Sequence, residues 1–215
     1  MTVLNNITKL SFREQAAVAI RAGIMNGEIT PDRIYSVPAL SAQLGVSATP
    51  VREAMLDLAA EGLVVPVRNR GFRVASLGPQ DLEDILQVRL LLEVPAMGEV
   101  AERCGNEDMS RFRELAAELP RHVHARDIQS YLDADRNFHL GLLELLGNSR
   151  LVDIVGMLRN QSRVFDVGTL AATGELIASA EEHAAILAAI EAGDRKRTED
   201  LVRSHLLKLR KAWEH

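Results

Sequence analysis

The chain has 215 residues, of which 47% are hydrophobic and 26% are charged, a composition that suits one or two globular domains. No apolar run is long enough to cross a membrane, and the N-terminus lacks the pattern of a signal peptide. The lone cysteine, Cys104, excludes an internal disulfide, so we expect a cytoplasmic protein.

The charge is divided unevenly along the chain. The whole sequence carries −5 at pH 7, which by itself argues against binding to nucleic acid. Residues 1–75 nevertheless hold eight Lys or Arg and six Asp or Glu, a net charge of +2, which leaves −7 on residues 76–215. This asymmetry predicts a first domain that contacts DNA and a second domain with another task.

The chain is expected to begin with a flexible arm over residues 1–10, followed by a DNA-binding domain over residues 11–75. The first helix of that domain is predicted over residues 11–26, because apolar residues recur there at helical spacing. Its apolar face is predicted to comprise Phe12, Ala16, Ile20 and Ile24.

Residues 36–62 predict two helices separated by a sharp turn. Ser36 is a suitable N-cap for the first helix, and Gly45 ends it where a left-handed turn is needed. Ser47 is predicted to cap the second helix, and Pro50 lies in its first turn, where a missing N–H costs little. The pattern is typical of a helix-turn-helix motif.

The second of these helices has an outward-facing polar end. Its apolar stripe consists of Val51, Met55 and Leu58, which leaves Thr49 and Arg52 facing outward near the N-terminus. A recognition helix presents this end to base edges and phosphates in the major groove.

A basic hairpin is predicted directly after the helix-turn-helix. The β-rich runs at 64–67 and 72–74 flank a tip that contains Arg68 and Arg70. A hairpin in this position is a wing, and its guanidinium groups can reach phosphates or the minor groove. The alternative interpretation is an ordinary three-helix domain with a solvated hairpin.

The segments LGVSATPVREAMLDLAAEGLV and VRNRGFRV resemble the winged helix-turn-helix of GntR-type bacterial transcription regulators. The resemblance covers roughly residues 10–75. The chain departs from the family pattern in two places. Ala48 stands where the family commonly has Arg, and no charged residue lies near Pro38, where the family often has one. These departures bear on which operator sequence is recognised. The resemblance implies that operator DNA is contacted by Ser47, Thr49, Arg52, Arg70 and Gly71.

The rest of the chain is predicted to be helical. Residues 76–80 form a breaker-rich linker, and residues 81–215 form an antiparallel all-α bundle, so the fold is mainly α. Pro95 is expected to kink the first bundle helix. Helices are predicted over 80–104, 106–122, 127–146, 148–167, 174–192 and 194–213.

Polar residues interrupt three apolar stripes of the bundle. Asp135 and His139 lie four residues apart on one helix face. His183 and His205 each lie eleven residues from Asp194, at the turn between the last two helices, so an antiparallel pairing places them at one height. An Asp and three His can hold a divalent transition metal, Zn²⁺ before Ni²⁺ or another ion. The alternative for any single histidine is a hydrogen-bonded core residue.

The segments DADRNFH, EEHAAILAAIEAGD and RSHL resemble the FCD ligand-binding domain of the FadR-like branch of GntR regulators. Many members of that branch hold a metal with one Asp and three His. The resemblance implies the same role for Asp135, His139, His183 and His205, and it implies a small organic acid as the effector.

Arg89 lies on the apolar stripe of the first bundle helix and needs an anionic partner. It either pairs internally with Glu93 or Asp135, or clamps the carboxylate of a bound effector. The resemblance favours the clamp. Arg163 is the second predicted effector contact, although helix phase alone leaves open whether Arg159 or Arg163 turns inward.

These features predict a homodimeric transcription regulator of palindromic double-stranded operator DNA, in the first place a repressor, with an activator as the alternative. The resemblance implies that it responds to a small carboxylate effector. Two alternatives leave the metal purely structural or make it the signal itself. A metallohydrolase is a more remote alternative, because no general base or nucleophile accompanies the predicted ligands. We therefore assign no catalytic residue and expect no enzyme.

Overall fold

The chain divides into two compact units, Met1–Ser76 and Leu77–His215. The computed structural model describes residues 10–25, 28–31, 33–103 and 107–213, apart from the side chains of residues 25, 163–173 and 209–213. The arm predicted for residues 1–10 lies outside the described residues except for Leu10, and so does Cys104. No described helix is both long and apolar enough to cross a membrane.

Within its described residues, the first unit has three helices and a small antiparallel sheet of strand order β1-β3-β2. Strand β1 is not predicted from the sequence, because two residues are too short to show a strand pattern. Its Tyr35 pairs with Phe72, the first inward residue of β3. The elements are α1 Phe12–Met25, β1 Ile34–Tyr35, α2 Val37–Leu44, α3 Ala48–Ala60, β2 Val64–Val67 and β3 Gly71–Val74.

The turn between α2 and α3 has the predicted helix ends. The Ser36 hydroxyl accepts a hydrogen bond from the Ala39 N–H at 3.3 Å, and Gly45 is left-handed with φ 68°. The predicted N-cap position of Ser47 in α3 is confirmed, but its side chain makes no capping hydrogen bond. The extended backbone at Ser47 suffices to start the helix.

The core of the first unit lies between α1 and α3. Ile20, Val51 and Leu58 are all almost completely buried there. Phe12, predicted on the same face, is instead 64% exposed. It is the first residue of α1, and a helical side chain leans toward the N-terminus, so the ring extends past the end of the helix.

The second unit is a helical bundle, which confirms the predicted fold class. Helix α4 packs against α7 and α9, and α5 packs against α6 and α8. Gly193, left-handed with φ 69°, allows the sharp turn between the last two helices. The helices are α4 Pro79–Arg103, α5 Ser110–Ala125, α6 Ile128–Glu144, α7 Ser149–Thr173, α8 Leu176–Glu191 and α9 Arg195–Trp213.

Three helix ends differ from prediction by more than two residues. Helix α7 continues through Gly168 to Thr173, and α5 begins at Ser110 and ends at Ala125 where the prediction was 106–122. A glycine inside a helix costs only about 1 kcal/mol, which packing along a 25-residue helix offsets. Helix α4 runs unbroken past Pro95, and the kink expected there stays a prediction.

Candidate metal centre and nucleic-acid interface

Four side chains from three helices converge in the core of the second unit. Asp135 and His139 come from α6, His183 from α8 and His205 from α9. Each offers one ligand atom, and these four atoms all lie within 4.8 Å of one another. The imidazoles of His139 and His183 are completely buried, and that of His205 is 7% exposed. We call these four residues the His–Asp cluster.

The distances within the His–Asp cluster match those between ligands of a single ion. The Nε2 atoms of His139 and His183 are 3.1 Å apart. Asp135 Oδ1 lies 3.3 Å from His183 Nε2 and 3.6 Å from His139 Nε2. Bonds of 2.0–2.2 Å to one Zn²⁺ would separate neighbouring ligand atoms by about 3–3.5 Å. The donor set and its spacing therefore fit a transition metal.

Outer hydrogen bonds orient two of the three imidazoles. His183 Nδ1 lies 3.1 Å from the Ser179 carbonyl oxygen, to which it donates when Nε2 is the unprotonated nitrogen. His205 Nδ1 lies 2.9 Å from Glu182 Oε2 and donates to that carboxylate in the same tautomer. Each bond leaves the Nε2 lone pair directed at the cluster, as metal ligands require. The Nδ1 of His139 is buried without a partner among the described residues.

The protonation states of the cluster also suit a metal. Burial lowers the pKa of His139 well below 6.5, the Arg159 guanidinium lowers it further, and burial lowers the pKa of His205 as well. Burial alone would raise the pKa of Asp135, but Arg159, His139 and His183 hold it well below 3.8. Neutral imidazoles beside an ionised carboxylate bind a cation without first releasing protons.

An ion-pair network adjoins the His–Asp cluster. The completely buried Glu93 accepts from Arg89 Nε at 2.7 Å and from Arg159 at 2.7 Å. Arg159 also donates to Asp135 Oδ2 at 3.2 Å, while Arg89 donates to Ser162 Oγ at 3.2 Å. Because the two arginines surround Glu93, they hold its pKa below the ordinary value although burial raises it. The network links α4 and α7 to a cluster residue of α6.

Arg89 points into the core, as its position on the apolar stripe of α4 predicts. Glu93 and Asp135 were the two predicted internal partners, and Arg89 pairs with Glu93. Arg159 also turns inward, whereas the side chain of Arg163 lies outside the described residues. Helix phase cannot separate the two arginines, because residues four apart share one face of α7.

The first unit presents its predicted DNA contacts at the surface. Thr49 and Arg52 are exposed in the first turn of α3, and the Ser47 side chain beside them is exposed and makes no capping bond. Arg68 and Arg70 are exposed at the tip of the β2–β3 wing. The exposed cations at the recognition helix and the wing suit the groove and backbone of duplex DNA.

Gly71 has a packing reason to be glycine. Its φ is 132°, and a Cβ built there would lie 2.2 Å from the Tyr35 carbonyl oxygen. Only glycine therefore allows β3 to approach β1 and the wing to close on the domain. This requirement is independent of the DNA contact that the family resemblance implies for Gly71.

A winged helix-turn-helix followed by an all-α domain defines a class of bacterial transcription regulators. Residues 12–74 match the bacterial regulatory proteins of the gntR family, and residues 84–208 match the FCD domain. The chain belongs to the GntR family of DNA-binding transcription regulators, in the group that carries an FCD domain, and this is a family of regulators, not of enzymes.

Relatives named as repressors resemble the chain over most of its length. The HTH-type transcriptional repressor GlaR of Escherichia coli strain K12 is 27% identical over 202 residues, covering 87% of this chain and 89% of GlaR. A probable D-xylose utilization operon transcriptional repressor of Paenarthrobacter nicotinovorans is 30% identical, covering 78% of this chain and 73% of that repressor.

Solved structures share the fold. E. coli McbR/YncC superimposes with a TM-score of 0.77 at 22% identity, over 96% of this chain and 99% of that chain. A GntR regulator from Rhodococcus sp. RHA1 superimposes with a TM-score of 0.71, also at 22% identity, over 94% of this chain and 97% of that chain. At this identity the likeness establishes the architecture alone.

Proposed function

We propose that the protein is a homodimeric, metal-containing repressor that releases its operator when a small carboxylate effector binds the second unit. The observation that carries the proposal is the convergence of four metal-ligating side chains from three helices. They lie in the domain that follows a winged helix-turn-helix in the chain. Relatives named as repressors support the sign of regulation.

The proposed metal is a divalent transition ion, with Zn²⁺ the first expectation and Ni²⁺ the second. Three imidazoles and one carboxylate form a borderline-soft donor set, which disfavours Mg²⁺ and Ca²⁺. Four protein ligands satisfy Zn²⁺ in a structural role, and an expanded coordination shell would admit an effector oxygen. The role of the metal therefore depends on whether the effector binds to it directly.

The proposed effector is anionic because of the charges around the His–Asp cluster. Glu93 and Asp135 carry two negative charges that Arg89 and Arg159 balance. A divalent cation adds two positive charges to a buried site, and such charge is costly unless an anion accompanies it. An organic carboxylate meets this need at the metal, with Arg89 and Arg163 as proposed further contacts.

Helices α4 and α7 form an antiparallel pair that we propose as the dimer interface. Their direction follows from two contacts in reverse order, Arg89 with Ser162 and Glu93 with Arg159. Four large apolar side chains are exposed among the described residues of the pair, and Leu91 is 74% exposed. Clustered apolar side chains on a surface are typical of protein interfaces. The exposed residues are Val88, Leu91, Ile154 and Met157.

A dimer also follows from the DNA geometry. One winged helix contacts few base pairs, whereas two related copies read two half-sites of a palindrome. An effector that binds one relative arrangement of the two copies more tightly would shift the spacing of their recognition helices. Sedimentation at twice the chain mass of 23.6 kDa would agree with this proposal.

Elemental analysis of never-chelated protein tests the metal first. We expect about one equivalent of a transition metal per chain and its loss in His183→Ala, because three remaining ligands hold an ion far less tightly. The matched control is His124→Ala, which removes an exposed histidine outside the cluster. Absence of metal from the wild type, or equal metal in His183→Ala, would contradict the proposed site.

Chelation separates the three possible roles of the metal. Under the proposed role, the chelated protein still folds and binds operator DNA. A carboxylate that dissociates the metal-loaded protein from the operator no longer dissociates the chelated protein. A purely structural metal would lower thermal stability on removal and leave that response intact. A metal that is itself the signal would exchange readily and change operator affinity with no carboxylate present.

A further inference from the structure

Glu182 joins a histidine of the His–Asp cluster to a lysine at the edge of the bundle. Its Oε2 lies 2.9 Å from His205 Nδ1, and its Oε1 lies 2.5 Å from Lys208 Nζ. The Glu182 side chain is 26% exposed and that of Lys208 is 33% exposed. One carboxylate is therefore shared between a buried imidazole and a partly solvated cation.

The Glu182 contact distinguishes His205 from the other two histidines of the cluster. His183 has backbone carbonyl oxygens as its outer partners, and within the described part of the chain His139 Nδ1 has none. A carboxylate that accepts the Nδ1 proton orients the ring, selects the tautomer with a free Nε2 and makes that nitrogen a stronger ligand. Among these outer partners, only that of His205 is a side chain that substitution can remove.

We propose that Glu182 is a positioning residue that sets the metal affinity of the His–Asp cluster through His205, and that Lys208 opposes it. This inference rests on the proposed metal site. Lys208 attracts the negative charge of Glu182 away from His205 and adds a positive charge near a bound cation. Removing Glu182 should weaken metal binding, whereas removing Lys208 should strengthen it.

Opposite signs separate this role from a merely structural salt bridge. Two partners that only stabilised the contact between α8 and α9 would change metal binding in the same direction when either one was removed. Glu182→Gln retains an oxygen that can accept from Nδ1 but loses the charge. Lys208→Met retains most of the aliphatic length of the side chain without its charge.

The test is a competition titration with Zn²⁺ and a chromophoric chelator on the full chain. We expect Zn²⁺ affinity to fall about 10- to 100-fold in Glu182→Gln, the usual effect of removing an outer partner. We expect it to rise about twofold to fivefold in Lys208→Met, the effect of one partly solvated charge. The matched control is Glu181→Gln, an exposed neighbour on the same helix, and it should leave the affinity unchanged.

A Co²⁺ absorption spectrum adds a readout of geometry. The ligand-field bands should shift in Glu182→Gln, because His205 Nε2 becomes a weaker donor once its outer partner loses the negative charge, and they should stay in place in Glu181→Gln. Equal Zn²⁺ affinity in wild type and Glu182→Gln would overturn the inference, and so would weaker binding in Lys208→Met. The Lys208→Met result decides alone if Glu182→Gln fails to fold. A wild type that binds no Zn²⁺ would instead overturn the proposed metal site.

Discussion

The two units place their candidate functional residues in opposite ways. In the first unit the predicted DNA contacts are exposed and lie close together in sequence, between Ser47 and Gly71. In the second unit the His–Asp cluster is mostly buried, and Asp135 and His205 come from helices far apart in the chain. A recognition surface can be encoded in one short motif, whereas a buried site requires several helices to pack in register.

The two units also differ in the free-energy cost of their charged groups. A charge on the wing tip stays in water and costs little, but the charges of Glu93, Arg89 and Arg159 are tolerated in the core only because they satisfy one another. We therefore expect substitutions in the second unit to act first on stability. Substitutions at the DNA contacts should act on operator binding alone.

The largest expected effect is at Glu93. Its removal leaves Arg89 and Arg159 with an uncompensated charge in the core, so Glu93→Gln should lower the free energy of unfolding by about 3–5 kcal/mol in urea titrations. Glu99→Gln is the matched control, because Glu99 also pairs with an arginine four residues away on α4, here Arg103, but at the surface. That pair should be worth about 1 kcal/mol or less. Equal losses in the two variants would contradict the buried network.

An intermediate effect is expected at Arg52. Arg52→Ala removes an exposed guanidinium from the first turn of the recognition helix and should weaken specific operator binding by about 1–3 kcal/mol. Metal content and the free energy of unfolding should not change. Mobility-shift titrations against specific and random duplexes provide the measurement.

Arg150→Ala, an exposed arginine at the start of α7, is the control for Arg52 and should bind operator as the wild type does. Unchanged operator affinity in Arg52→Ala would remove Arg52 from the interface. A loss of metal in that variant would contradict the functional separation of the two units.

The smallest effect is a pH dependence of the metal-free protein. Burial lowers the pKa of His139 and His205 in the folded chain, so the unfolded chain binds more protons as pH falls below about 6.5. The free energy of unfolding should thus stay at its maximum above pH 6.5. Below that pH it should decline by at most about 1.4 kcal/mol per pH unit for each histidine.

Urea unfolding of chelated protein between pH 7.5 and 5.5 would measure this slope. The metal-loaded protein should start from a higher stability and lose it more steeply, because protons also compete with the metal for the imidazoles. A metal-free protein with constant stability over this range would show that the two imidazoles are not desolvated as their burial indicates.

The comparison also shows where inference from sequence succeeds. The caps at Ser36 and Gly45 were predicted because a hydroxyl acceptor and a left-handed turn are local requirements. The inward phase of His183 followed from helical periodicity in α8. The N-cap position of Ser47 was also predicted. Its side chain makes no capping bond, because an N-cap position specifies the backbone and leaves the hydroxyl free to turn elsewhere.

The sequence by itself determined the helices and the wing, the outward face of the recognition helix and the inward phase of Arg89 and the three cluster histidines. Only the tertiary structure decided the partners: Arg159 contacts Glu93 and Asp135, and Glu182 contacts His205. The physical reason is that helical periodicity sets the direction of a side chain about its own axis. Which charge it meets depends on the height and rotation of the neighbouring helix, and packing of the whole core sets these.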